Sequence, residues 1–232
     1  MGKAATMRKA IAALPGVPLL VRPSAQARRI TLRVSALDGR VTLTVPRGTA
    51  ISTALDFAED RADWIRAQLD RQAQPVAVVP GVVLPVAGVP HEVVTAPRAG
   101  LGAGFIAVRP DGGPGPQAAA LLRDHARRLL VSAAEGFAAR EERRIGRITL
   151  RDTRSRWGSC SSEGNLMFSW RLVLAPRPVL DYVAAHEVAH LVRMDHSRAF
   201  WAVVTRLMPD HAAPRRWLQE HGAALHAWRF DG

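Results

Sequence analysis

The sequence predicts an α+β protein: a β-rich first half, then a mainly helical second half with a small sheet. Three observations carry this reading. Residues 29–35 and 40–45 alternate apolar and polar side chains with period two. Apolar residues over 117–144 and again over 178–207 recur at spacings of three and four. Between the halves, Asp111-Gly-Gly-Pro-Gly-Pro116 is the strongest linker signal in the chain. The expected organisation is a disordered start at 1–16, a β-rich region with one helix at 17–110, and a helical region at 117–232. The last two are free to pack as one unit.

The elements follow in order. Strands at 29–35 and 40–45 flank Asp38-Gly39 and read as a hairpin, with Ile30, Leu32, Val34, Val41, Leu43 and Val45 facing a core. A helix is expected from Ser52 to Gln72, because Ile51, Leu55, Ala58, Ala62, Ile65 and Leu69 share one face. Residues 75–116, rich in Pro, Gly and Val, read as short strands near 91–96 and 105–109. A long amphipathic helix follows from Gln117 to Arg144, its apolar face made by Leu121, Leu122, Leu129, Leu130, Ala133 and Phe137. Residues 148–151 and 165–174 read as strands, with a polar turn at 154–161 between them. A further helix is expected from Pro178 to Arg193. Another should start near Asp195 or Ser197, either of which can cap it, and stop at Pro209.

No apolar run approaches the ~20 residues of a membrane helix. Lys3, Arg8 and Lys9 before an apolar run, with Ala25-Gln26-Ala27 after it, imitate a secretory leader. Pro15, Pro18 and Arg22 interrupt that pattern, so the expected location is cytoplasmic. The single Cys160 suits a reducing compartment. The net charge of +12 comes from thirty Arg and two Lys, spread over both halves. With no dense basic helix, any nucleic-acid binding should be weak and non-specific.

The chemistry concentrates in His186-Glu187-Val188-Ala189-His190, with a third histidine at 196. Residues four apart share a helix face, so His186 and His190 can point at one cation. Glu187 lies about 100° round from His186, beside the metal but not on it. His196 can join only if the helix breaks, since an unbroken helix would carry it about 240° from His190. Three imidazoles with a position left for water make a catalytic zinc site, one ion per chain, with Glu187 as general base. Cys160 as a fourth ligand would instead close a structural site. Tyr182 shares the face of His186 and could stabilise an oxyanion or simply pack, and His211 could stand behind a ligand. The remaining histidines, 91, 125, 221 and 226, have no motif around them.

A wider set of residues resembles a known family. Arg156-Trp-Gly-Ser-Cys-Ser161, Asn165-x-x-Phe-Ser-Trp-Arg-Leu172, Tyr182-Val-x-x-His-Glu-x-x-His190, His196-Ser-x-x-Phe-Trp201, Met208-Pro-Asp210 and Trp217-Leu218 are similar to the YgjP-like metallopeptidases, relatives of the WLM and SprT-like zinc proteases. The opening Arg22, Ser24 and Arg28-Arg-Ile-Thr-Leu-Arg-Val34 resemble that family's first strand. The resemblance implies a zincin-like catalytic half, zinc held by His186, His190 and His196, and Glu187 as the base. Val188 stands where the family usually has Leu. The third-histidine spacing also matches the metzincins, but Arg193 stands where they have glycine.

The function expected is a zinc metallopeptidase, in which a zinc-bound water attacks a peptide carbonyl with help from Glu187. Extended substrate could pair with an edge strand, for which 165–174 is the candidate. The alternatives are a nucleotide phosphohydrolase gripping phosphate with Arg151, Arg154, Arg156 and Arg171, a nucleic-acid-associated zinc protease, and a binding module with structural zinc. Nothing in the chain specifies an oligomeric state.

Overall fold

The computed structural model describes residues 7–35, 39–70 and 74–231. They are α+β and fall into two units, divided between Gln74 and Pro75, each with its own core.

In the first unit, β1 (Met7–Lys9), β2 (Leu19–Ser24), β3 (Thr31–Val34) and β4 (Val41–Pro46) form one sheet in the order β1-β2-β4-β3. Alternate residues of the two central strands, Leu19, Val21, Val41, Leu43 and Val45, are buried, as the period of a one-sided sheet requires. The expected hairpin forms, with Thr31 opposite Thr44 and Val34 opposite Val41. Gly39 has a φ of 65°, while Asp38 of the same turn lies outside the described residues. The expected disorder at 1–16 does not hold for 7–16. There β1 pairs with β2, and Ile11 and Leu14 are buried. Residues 1–6 lie outside the described set. The helix expected over 52–72 is two, α1 (Ile51–Glu59) and α2 (Ala62–Asp70). At the break, the Arg61 guanidinium donates to Phe57 O at 3.2 Å and lies over the Phe57 ring, which supplies a partner that the helix ladder loses.

The second unit contains β5 (Val76–Ala77), β6 (Val83–Val86), β7 (Val89–Thr95), β8 (Gly100–Gly102) and β9 (Phe105–Val108), then α3 (Pro114–Arg140). The expected division at 111–116 is therefore not where the core divides. Leu84, Val93 and Ile106 share one cluster with Leu122 and Leu130 of α3. The Gly-Pro-rich stretch is instead the start of α3. Gly113 is its N-cap, Pro114 occupies the first turn, and Gly115 is buried where a Cβ would stand 2.6 Å from Phe230 O. Proline's missing N–H costs nothing in a first turn. The deepest row of α3 is Ala118, Ala126, Ala134 and Ala138 with Leu122 and Leu130, whereas the expected Leu121, Leu129, Ala133 and Phe137 flank it.

Behind α3 come β10 (Ile148–Arg151), β11 (Gly158–Cys160) and β12 (Leu166–Ser169), a sheet in the order β10-β12-β11. The strand expected over 165–174 ends at Ser169, and Trp170–Leu174 is a 3-10 helix whose aromatic and aliphatic side chains are buried. The apolar run was long enough for a strand, but burial on all sides suits the 3-10 turn equally well. Then follow α4 (Arg177–Ala189), α5 (Arg198–Leu207), α6 (Ala212–His221), a second 3-10 turn at Gly222–His226, and β13 (Trp228–Arg229), which pairs with β5. No described helix is long and apolar enough to cross a membrane.

One ion pair ties the C-terminal turn to this sheet. Arg171 grips Asp152 through two bonds, at 2.7 and 3.1 Å, and donates to Leu225 O and Trp228 O. His226 packs beside it, its ring 5.1 Å from that of Trp157. Burial first, then the Arg171 charge, lowers its pKa from 6.5 to about 4, against the opposing pull of Asp152. The unfolded chain therefore takes up this proton before the native one does. The contribution of His226 to stability is whole above pH 6.5, is lost as pH falls toward 4, and changes no further below that. Thermal melts at pH 7.5 and 4.5 should show a smaller acid loss in His226→Gln than in the parent. An equal loss would remove His226 from the account.

Candidate metal centre

Helix α4 begins after Pro176, with Pro178 in its first turn, and nearly every side chain from Val179 to Ala189 is buried. A helix apolar all round belongs inside a core. Ala184, Ala185 and Ala189 are fully buried and leave room for close neighbours on α3, α5 and α6. In this setting His190 and Glu187 are also buried, at 9% and 5% exposure.

The helix stops where the third histidine needs it to. His190 is its C-cap, and the following amides fold back, with Leu191 N on Val188 O and Arg193 N on Ala189 O. Ser197 is the N-cap of α5, its hydroxyl accepting from Phe200 N, while the Ser197 hydroxyl and amide both donate to Asp195. His196 thus stands at the mouth of the second helix. The structure brings His186, His190 and His196 together, with ligand atoms all within 4.8 Å of one another.

The donor set fits a cation. His190 Nδ1 lies 3.0 Å from Arg193 O, so it carries the proton and Nε2 keeps its lone pair. His186 Nε2 faces His196 Nε2 at 3.2 Å. Two lone pairs that close repel unless a proton or cation lies between them. Zinc–nitrogen bonds of about 2.0–2.1 Å at a tetrahedral angle set ligand atoms about 3.3 Å apart. Burial and the neighbouring imidazoles lower the pKa of His186 to about 4, which keeps it neutral. Cys160 is outside this cluster. Its thiol bonds Ser161 O at 3.3 Å, and burial with the nearby Glu187 charge pushes its pKa up to about 11, so it is not a thiolate.

Glu187 lies against β11 rather than among the imidazoles. A Cβ on Gly158 would stand 2.4 Å from its Oε1. Burial pushes its carboxyl pKa up to about 8, and the Arg156 charge offsets part of that. Sequence reasoning missed Gly158 and Phe200. Phe200 is fully buried, and its ring lies 4.9, 4.5 and 4.8 Å from those of His186, His190 and His196, forming the floor of the cluster. Its position four residues after His196 on α5 was the available signal. Tyr182 is buried 6.0 Å from the His186 ring and stacks on His211, which stacks in turn on Trp201. His211 therefore borders the site. His91 and His221 bond local carbonyls, of Val89 and Trp217, and His125 contacts Arg128.

Strand β12 is paired on both sides, so it is not the edge strand that 165–174 was expected to offer. The edge beside Glu187 is β11. Trp157 O accepts from Ser169 N, and Ser161 N donates to Asn165 O, with Ser159 opposite Met167. Residues 157, 159 and 161 thus bond inward, and Gly158 and Cys160 turn their N–H and C=O groups away from β12.

Residues 28–221 match the family described as YgjP-like, metallopeptidase domain. The chain belongs to this family. The match spans most of both units, from just before β3 to the end of α6. No curated protein and no solved structure gives a significant match.

Proposed function

We propose that the protein is a zinc-dependent peptidase with His186, His190 and His196 as ligands and Glu187 as general base. The observation that carries this is the convergence of three imidazoles, two from the C-terminal end of α4 and one from the turn before α5, with a buried carboxylate one residue from the first of them. A zinc ion bound there would polarise a carbonyl and bring the pKa of a water to roughly 7.

The chain's own groups do the rest. Arg193 O holds the tautomer of His190, and Phe200 fixes the spacing of the rings. Glu187 takes a proton from the attacking water and delivers it to the leaving amine. Burial raises its carboxyl pKa to about 8 and the Arg156 charge opposes this; a cation held by the three imidazoles would draw it further toward the charged form that accepts a proton. An extended peptide lies along β11, pairing with the outward N–H and C=O groups of Gly158 and Cys160. Cleavage of a mixed peptide library that a chelator abolishes and added zinc restores, with about one zinc per chain by elemental analysis, is the expected result. Cleavage indifferent to chelation would end this reading.

Gly158→Ala tests the seat of the base. The added methyl cannot coexist with Glu187 where it stands. Zinc content should stay near one per chain while turnover falls, on the order of 10²-fold for a displacement near 1 Å. Unchanged turnover would show that Glu187 needs no such seat.

The phosphohydrolase alternative keeps one supporting observation: Arg151, Arg154 and Arg156 are exposed near β11. Arg171 no longer supports it, being committed to Asp152. We take the substrate to be peptide or protein, nucleic-acid contact to be weak and non-specific, and the compartment to be cytoplasmic.

A further inference from the structure

The sheet β10-β12-β11 has two unlike faces. Leu166 and Phe168 point into the core, while Thr149, Arg151, Ser159 and Met167 point outward and line a cavity of about 510 Å³. Arg147 and Arg156 line it too, the latter on a loop held by the Thr153 hydroxyl bond to Arg156 O at 2.8 Å. No carboxylate and no aromatic ring lines it. Arg147, Arg151 and Arg156 are exposed, and none of the three forms an ion pair among the described residues. Arginines elsewhere in this unit do find carboxylates: Arg171 on Asp152, Arg177 on Asp181 and Arg206 on Glu141. Three guanidiniums around one cavity repel one another and suit an anion.

The cavity and the candidate centre flank the same strand. Ser159 and Cys160 belong to β11, the strand that abuts Glu187, and Arg156 acts on the charge of Glu187. We propose that this groove is a subsite for acidic residues of an extended peptide, with carboxylate side chains seated on Arg147, Arg151 and Arg156. The proposal rests on the peptidase reading. A strand added to the β11 edge would set every second side chain on this outer face, where the arginines are. A nucleic acid suits the groove less well, because it offers no ring on which bases could stack.

The test uses two short labelled peptides that differ only in Glu or Gln at alternate positions. Binding is read by anisotropy on zinc-loaded Glu187→Gln protein, and cleavage of the same peptides is read separately on the wild type. The Glu peptide should bind roughly tenfold more tightly at low salt. That advantage should shrink with added salt, and should vanish in Arg147→Gln/Arg151→Gln. Each single arginine variant should lose part of it. Exposed arginines can be replaced without unfolding, and retained zinc content checks this. An arginine-dependent preference without cleavage of either peptide would support the groove and overturn the peptidase reading. Equal binding of both peptides, or a preference that survives the double variant, would overturn the groove and leave the peptidase reading standing. Displacement of the Glu peptide by a single-stranded oligonucleotide at physiological salt, at lower concentration than by unlabelled peptide, would also overturn it.

Discussion

Glu187→Gln should retain the fold and the metal and lose activity by at least 10²–10⁴-fold, roughly the worth of general-base help alone. The amide has the shape of the carboxyl but cannot accept the proton. Stability should not suffer, because burial already disfavours the charge and raises the carboxyl pKa to about 8. The neighbouring Gly158 leaves room for the same side-chain outline. The comparison requires matched zinc content, so that lost metal is not mistaken for lost base. Near-normal turnover by the metal-loaded variant would remove Glu187 from the mechanism, whatever the substrate.

His186→Ala or His190→Ala should abolish stoichiometric metal, and activity with it. Both imidazoles sit on α4 at fixed spacing, and the only other donor in the described cluster is His196. With either gone, one imidazole at the end of α4 and the exposed His196 remain, and that pair cannot hold zinc at stoichiometric level against a dilute supply. His196→Ala should weaken binding strongly instead, because the exposed third ligand is partly replaceable by water. Full zinc occupancy in His196→Ala, by elemental analysis after dialysis, would end its assignment as a ligand.

Much of the site was legible because helix geometry is local. Residues four apart share a face, so His186 and His190 could be paired from spacing alone. His196 required a break, and Asp195 and Ser197 announced one, since both prefer the start of a helix to its interior. What stayed hidden depends on contacts between distant parts of the chain. Nothing near Gly158 says that a carboxylate from α4 lies against its Cα, and Phe200 reads as one more apolar residue of α5. The same limit explains the errors in the fold. Pro114 and Pro116 around Gly115 look like a linker until Phe230 is seen packed on Gly115, and 165–174 looks like one strand because its apolar run continues through Trp170 into a buried 3-10 turn. Local repetition was reliable where burial was one-sided, as in the β3–β4 hairpin.

The central claim is that this centre cuts peptide bonds. The most direct test incubates one zinc-loaded preparation with a peptide library and with nucleoside triphosphates, side by side, using Glu187→Gln and chelated protein as controls. The account predicts new peptide termini with the wild type alone, and no phosphate release above the controls. Glu187-dependent release of phosphate or pyrophosphate, with the peptides left intact, would contradict it.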